Sequence, residues 1–390
     1  MQPTCHVAVL IETAREYGRG LLRGVAQFHR EYPHWSIYFE QQDLGASLPR
    51  WFSSWKGDGI LARATNLKTA RALHETGLPM IDLRGGTRTL GTPPFGPDNR
   101  AISILAFEHL AACGLQHFAF VSEPTGKHVY DDQRREAFQQ VVHDHGNQCH
   151  VFKSRLGGKS STKWERHQQQ LADWLVAIPK PLGVMCCHDN RGPQVLEACR
   201  LAGLDVPNEV AVIGVDNDEF LCGLAIPSLS SVDVNAERIG YEAALMLDRM
   251  IRGEAKFSQP MLFPPLDVVA RQSTDLVACD DPRIAAAVQL IRQHACNYLK
   301  VADIERQLAM SRSSLNRRFK QVVGRSPKQE ILRIQIETAK RQLVDSDAPI
   351  YVISRRVGFR ETKYFIAVFR KLTGMTPRAY RLAGQRSNSG

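Results

Sequence analysis

Groups able to hydrogen-bond a small polar molecule sit at the ends of apolar runs. Asp216 closes VAVIGVD, and His188, Asp189 and Asn190 follow VMCC. Arg134 stands at the opening of QRREAFQQVV, and Glu12, Arg15 and Tyr17 follow HVAVLI. Carboxylates accept paired hydroxyls, a guanidinium is a fixed donor fork, and an aromatic ring covers an apolar face. Together they suit a neutral polyhydroxyl ligand such as a sugar. Asp216 heads this set. Asp189 has a rival role, because a strand-end Asp often caps the next helix. The aromatic wall stays open among Tyr17, Tyr130, Trp164 and Phe220.

No reaction chemistry accompanies these groups. There is no Gly-rich phosphate loop ending in Lys-Ser/Thr and no Gly-x-Ser-x-Gly elbow. Gly18-Arg19-Gly20 only echoes a dinucleotide motif, since the later glycines do not fit. His143 and His145 lie two apart on an expected helix and face different ways. Cys186 and Cys187 are neighbours on a strand and project oppositely, so neither a metal chelate nor an easy disulfide follows. No metal, cofactor or catalysis is expected.

A second set of polar residues has different chemistry. The segment VADIERQLAMSRSSLNRRFKQVVGRSP is echoed by IYVISRRVGFRETKYFIAVFRKLTGMTP. Phe319, Gly324 and Pro327 recur as Phe369, Gly374 and Pro377, offset by 50, while Ile304 and Leu308 recur as Ile353 and Val357, offset by 49. One residue is thus added inside the second copy, where a turn tolerates it. Each copy has helix-turn-helix spacing, with a long helix between them. The second helix of the first copy exposes Arg312, Ser313, Asn316 and Arg317. Asn and Arg suit bidentate contacts to adenine and guanine edges, respectively. The equivalent helix of the second copy exposes Thr362, Lys363 and Ile366 or Ala367 and is poorer in polar readers. Lys320, Arg318, Arg370 and Lys371 fit a solvated or phosphate-touching role better than base readout.

The elements that must carry these groups fall into two parts. Over the first 275 or so of 390 residues, short apolar runs alternate with amphipathic helical segments. That pattern predicts parallel sheets covered on both faces, in two doubly wound lobes of an α/β sensor domain spanning 5–275. Ligands of such sheets bind beyond the carboxyl ends of the strands, here in a cleft between lobes. Residues 276–283 read as a linker, 284–384 as an all-α tandem helix-turn-helix domain, and 385–390 as a disordered tail. Charge divides the same way. From Asp280 onward there are 22 Lys+Arg against 9 Asp+Glu, a net of +13, whereas the whole chain is +10, which leaves −3 for the rest. A basic module on a near-neutral body points to a polyanion partner. The lack of a long apolar run or basic leader, and nine scattered Cys, lead us to expect a cytoplasmic protein.

Residues 284–382 resemble the DNA-binding domain of the AraC/XylS activators. The resemblance rests on Ile353, Gly358-Phe359, Tyr364-Phe365, Phe369-Arg370, Gly374, Thr376-Pro377 and Tyr380-Arg381. The N-terminal part is similar in pattern to the periplasmic-binding-protein-like cores of the LacI/GalR repressors. It shares LIETAREYGRGLLRGV, Gly57-Asp58-Gly59-Ile60, Pro97-Asp98-Asn99 and the string from Val212 to Asn217. It departs from the LacI/GalR order in that no helix-turn-helix precedes Val7. The combination, joined through PPLDVVARQSTD, resembles the xylose operon regulators. That resemblance implies a sugar-responsive activator with a pentose effector, D-xylose first. It places effector contacts at Asp216, Asp189 and Arg134, and base contacts at Ser313, Asn316, Arg317, Thr362, Lys363 and Ala367. It also implies double-stranded operator DNA and RNA polymerase as partners, and a homodimer. Two rivals remain: a regulator, repressor or activator, of another small metabolite, and a sugar-pathway enzyme with a DNA-binding tail.

Overall fold

A computed structural model describes residues 4–41, 47–64, 67–83, 92–124, 129–153, 161–276, 281–346 and 348–388. The chain divides into two compact units, Met1–Leu276 and Val277–Gly390.

The first unit has two lobes. The amino-terminal lobe is built from β1 (Cys5–Leu10), α1 (Glu16–Glu31), β2 (Trp35–Phe39), β3 (Gly59–Ala62), α2 (Leu67–His74) and β4 (Met80–Asp82). Its sheet has the order β2-β1-β3-β4 with every pair parallel. After β5 (Phe95–Pro97) the chain crosses to the second lobe through α3 (Asn99–Ala112), whose start is capped by Asp98 accepting from the N–H groups of Arg100 and Ala101. There follow β6 (His117–Ser122), α4 (Val129–Asp144), β7 (Cys149–Lys153), α5 (Ser161–Ala177) and β8 (Leu182–Cys186). The lobe continues with α6 (Gly192–Ala202), β9 (Val210–Val215), α7 (Glu219–Leu224) and β10 (Ser230–Val232). α8 (Ala236–Ile251) then returns to pack on α1 and β3. β11 (Met261–Phe263) pairs with β5, and β12 (Val268–Val269) closes the second sheet, whose order is β12-β10-β9-β8-β6-β7. Only its β12 edge is antiparallel among the described pairs.

The eight apolar runs visible in the sequence are β1–β4 and β6–β9. The inner strands are buried on both faces, β3, β8 and β9 at every position, while the edge strands β2 and β7 are partly exposed. The strands that escape notice, β5 and β10–β12, are two or three residues long, too short to show a period. The glycines after the first strand also find their reason here. A Cβ on Gly20 would meet Ala236 Cβ at 2.6 Å, and one on Gly24 would meet the Glu237 carbonyl at 1.9 Å. They let α1 and α8 cross closely. The stretch PPLDVVARQSTD belongs to the first unit and is anchored at its end. Ser273 and Thr274 are buried, and the Arg271 guanidinium donates to the Leu229 carbonyl at 3.0 Å.

The second unit is helical: α9 (Pro282–His294), α10 (Val301–Gln307), α11 (Arg312–Val323), α12 (Pro327–Asp345), α13 (Ile350–Arg356), α14 (Thr362–Thr373) and α15 (Pro377–Asn388). α9 begins inside the stretch read as linker, of which 277–280 lie outside the described residues. α15 runs through Asn388, so helix covers 385–388 of the stretch read as a disordered tail; 389–390 lie outside the described residues. Two small apolar cores form, one per repeat, around Leu315 and Phe319 and around Phe365 and Phe369. α12 serves both, with Ile331 in the first and Ile336, Ala339 and Leu343 in the second. Its start is fixed by a reciprocal box between Ser326 and Gln329 and by Pro327 in the first turn.

Candidate effector cleft and DNA-reading surface

The amino-terminal wall of the cleft is the loop after β1. Glu12 is buried and ion-paired to Arg63, which follows β3. The Arg63 guanidinium lies over two rings, Tyr17 at 4.8 Å and Tyr130 of α4 at 5.2 Å. The Tyr17 hydroxyl donates to the Leu83 carbonyl at 3.3 Å, and burial pushes its ionisation up. Arg15 precedes α1 and donates to the Tyr130 hydroxyl at 2.9 Å. Glu12, Arg15 and Tyr17 are therefore brought together, but the hub they share is Arg63. The sequence offered one signal for it, a charged residue closing the apolar run GILA. Of the four candidate rings, Tyr17 and Tyr130 pack against the Arg63 guanidinium. Phe220 is 89% exposed at the mouth, and Trp164 stands half exposed on α5, away from the cavity lining.

The carboxyl-terminal wall comes from α4, the turn after β8 and the loop after β9. Arg134 does not open its helix, as the sequence suggested. α4 starts at Val129 and puts Asp131 and Asp132 in the first turn, where acidic groups favour the helix dipole. The buried Arg134 donates through Nε to Asn99 at 3.1 Å and through Nη1 to the Cys187 carbonyl. Asp189 is buried and does not cap α6. Its carboxylate accepts from the Asp218 N–H and the Ser231 hydroxyl, each at 2.6 Å. Burial, then the neighbouring Asp216, raise its pKa. It packs under β9, where a Cβ on Gly214 would meet Asp189 Oδ1 at 2.0 Å.

That anchoring matters because the next loop is strained. Asp216 has φ 104° and Asn217 φ 53°, the left-handed region. Such backbone persists only when its surroundings over-determine it. Here Asn217 N–H donates to Ser231 Oγ at 3.0 Å, and the Asn217 side-chain oxygen accepts from Arg271 at 2.8 Å. The Asp216 carboxyl is held above its ordinary value by burial and pulled back by Arg134, Arg63 and Arg15 in that order. It lines a cavity of about 1170 Å³ together with Asn190, Asp218, Phe220 and Asn235. Arg19 of α1 reaches across this cavity to Asp218 at 2.9 Å.

On the helical unit, α11 starts at a Ser311 cap accepting from Ser314 N–H. Arg312, Ser313 and Arg317 are exposed and Asn316 is partly exposed, while Leu315 and Phe319 face the core. Arg318 is ion-paired to Asp281 before α9, which gives it a structural task. On α14, Lys363 and Ala367 are exposed. Thr362 is partly buried, with its hydroxyl 3.1 Å from Ser354 Oγ, so it ties the two helices of its motif together. α14 begins without a side-chain cap. In each motif a left-handed residue makes the turn, Ala309 at φ 50° and Gly358 at φ 89°. Both stand before the single added residue.

Comparison with known proteins matches this layout along its length. Residues 6–94 fit the family described as XylR N-terminal domain, 107–274 the periplasmic binding protein-like domain, and 304–383 a helix-turn-helix domain. The xylose operon regulatory proteins of Escherichia coli K12 and Haemophilus influenzae are each 31% identical over 382 residues. These alignments cover 96% of this chain and 96% and 98% of those proteins. The chain belongs to the xylose operon regulatory protein family. A solved structure of a xylose-binding transcription activator is similar with a TM-score of 0.77 at 30% identity, covering 98% of this chain and 99% of that one. A LacI-type binding protein from Alkaliphilus metalliredigens shares the fold of the first unit, with a TM-score of 0.56 at 16% identity over 69% of this chain. This member of the family is thus a DNA-binding transcription regulator with a periplasmic-binding-protein-like sensor. No described helix is long and apolar enough to cross a membrane.

Proposed function

We propose that the protein is an activator of pentose catabolism genes whose effector, D-xylose first, binds in the cleft. The observation that carries this reading is the strained loop at Asp216, which presents a carboxylate to a cavity beside three arginines. Asp216 accepts sugar hydroxyls. Arg15 and Arg134 supply donor forks, and Tyr17 covers the apolar ring face. Glu12 acts through Arg63, and Asp189 fixes the loop that carries Asp216. Full-length relatives that are xylose operon regulators, and the similar xylose-binding activator, support the choice of xylose.

In this reading the sugar shifts an existing equilibrium between open and closed lobes and thereby alters operator affinity. Arg312, Ser313, Asn316 and Arg317 of α11 read one major-groove face; Lys363 and Ala367 of α14 read the next, with Thr362 at its edge. The protein works without catalysis, in the cytoplasm, as a homodimer on double-stranded operator DNA, and contacts RNA polymerase when it activates. The test is calorimetric titration of the full chain with xylose, arabinose and ribose, beside an operator-binding assay with and without sugar. Saturable xylose binding that changes operator affinity is the expected result. Binding of none of the three removes the pentose reading.

A further inference from the structure

Beside Arg134 and Asp216 lies a set of groups to which the proposed effector contacts give no task. Asp131 stands in the first turn of α4, and Cys187 and His188 follow β8. A carboxylate oxygen, a thiol sulfur and an imidazole nitrogen from these three lie within 4.8 Å of one another. Asp131 is 2% exposed, His188 1% and Cys187 0%. Both carboxylate oxygens of Asp131 and both ring nitrogens of His188 are buried without a hydrogen-bond partner. A buried polar group in that state costs about 1–3 kcal/mol, so four such atoms at one place call for an explanation.

We propose that Asp131, Cys187 and His188 form a binding site for a divalent transition-metal ion of the zinc class. The donor set decides between occupants. A sugar has no use for a thiol, whereas a soft metal ion takes one. A thiolate, an imidazole and a carboxylate are the ligand types that zinc takes, at about 2.0–2.3 Å each. Around such an ion, donors stand ~3.5 Å apart, so the widest gap in the cluster closes by no more than about 1.3 Å. Glu123 Oε1, 3.6 Å from His188 Nε2, is placed to serve as a fourth ligand or to orient the imidazole. The nearby cations hold other partners: Arg191 faces Glu123 at 3.3 Å, Arg134 faces Asn99 and the Cys187 carbonyl, and Arg15, whose charge also reaches Asp131 and His188, donates to the Tyr130 hydroxyl at 2.9 Å. The adjacent pair Cys186-Cys187 does not chelate. The second and third ligands come from His188 and from a helix 56 positions earlier in the chain, which spacing along one strand could not disclose.

The experiment titrates the full chain, stripped with a chelator, with Co²⁺. The expected result is one equivalent bound, with a thiolate-to-cobalt charge-transfer band and the visible bands of a four-coordinate ion, all displaced by Zn²⁺. Cys187→Ser is expected to lose the charge-transfer band, and Asp131→Asn and His188→Gln to weaken binding by more than an order of magnitude. The circular dichroism of each variant is recorded alongside, so that an unfolded variant is set aside and the other two decide. Failure to bind a stoichiometric ion overturns the proposal. So does an unchanged thiolate band in folded Cys187→Ser, which would put the ion elsewhere. No sugar enters this test, so its outcome is independent of the effector reading.

Discussion

The two units handle polar groups in opposite ways. In the sensor unit the candidate site is sunk among buried strands: Glu12, Arg63, Arg134 and Asp189 are all less than a tenth exposed. In the helical unit the cores are built on apolar side chains, with Glu330, Gln335 and Ser354 the buried polar groups among the described residues, and most candidate readers stand in solvent. A small molecule must be surrounded to be recognised, whereas DNA is met by a surface. The consequence is energetic. Charges in the sensor depend on one another for solvation, so removing one strands its partner. Charges on α11 are solvated already and can be exchanged with little effect on folding.

Arg63→Ala tests that contrast most severely. It leaves Glu12 buried and unpaired, and breaking a buried ion pair in this way costs about 3–5 kcal/mol. We expect the melting transition of residues 1–276 to fall steeply while that of the helical unit stays put. Calorimetry of the full chain, with the two transitions resolved, checks this. Equal shifts in both would show that the units do not melt independently.

Gly358→Ala carries the comparison into the helical unit, where backbone rather than charge is the weak point. At φ 89° a Cβ would meet Gln335 Nε2 at 2.8 Å and the Cys296 carbonyl at 2.9 Å. The expected loss is about 1–3 kcal/mol, confined to the helical transition. Retention of wild-type stability would mean that the turn can reshape without harm.

Asp216→Asn separates ligand binding from folding within the sensor. Hydrogen bonds to a charged group contribute about 1.5–3 kcal/mol, so xylose affinity should fall roughly 10- to 150-fold. Operator binding without sugar should survive, since the helical unit is untouched. Calorimetric titration beside an operator assay reads both. Unchanged affinity for every pentose would take Asp216 out of the site.

The units also differ in how far they could be read from sequence. The helical unit declares itself, because period, caps and a repeat all fall within short windows. Ser326, Pro327 and Gln329 announce α12 in four residues, and the one-residue shift between offsets 49 and 50 falls after the turn residues Ala309 and Gly358. The sensor's strands were equally plain, being continuous apolar runs. Its site was legible only in part. Strand ends pointed to Asp216, Asp189 and Glu12, but the Glu12–Arg63 pair spans 51 positions and joins two strand ends. The task of Asp189, holding Asp218 and Ser231, depends on a loop 29 positions on and a strand 42 on. No local pattern encodes such partners, because sheet order, not sequence, makes them neighbours.

On the DNA surface, Arg317→Ala should cost about 1–3 kcal/mol on the preferred operator and relax one base position. Lys320→Ala should weaken all sequences alike and lower the salt slope by about one unit. Binding measured on an operator and on scrambled DNA across a salt series distinguishes them. An Arg317 variant with intact base preference would move that residue among the phosphate contacts.

Ala309→Gly is the mildest change and the sharpest comparison of the two motifs. Ala309 and Gly358 close the same turn: Met310 N–H reaches the Glu305 carbonyl at 3.0 Å, and Phe359 N–H reaches that of Ser354 at 2.9 Å. Yet Ala309 holds φ 50° with a Cβ, which costs about 1–2 kcal/mol for a non-glycine residue. Replacing it with Gly removes that strain but adds about 0.5–1 kcal/mol of unfolded-chain entropy. The two terms nearly offset, and we expect a gain below about 1 kcal/mol in the helical transition. Ala309 is exposed, so no packing is lost. Thermal unfolding of Ala309→Gly beside Gly358→Ala reads the pair. A clear loss on Ala309→Gly would mean that the methyl group makes a contact the first motif needs, and that the two turns, alike in backbone, are not alike in energy.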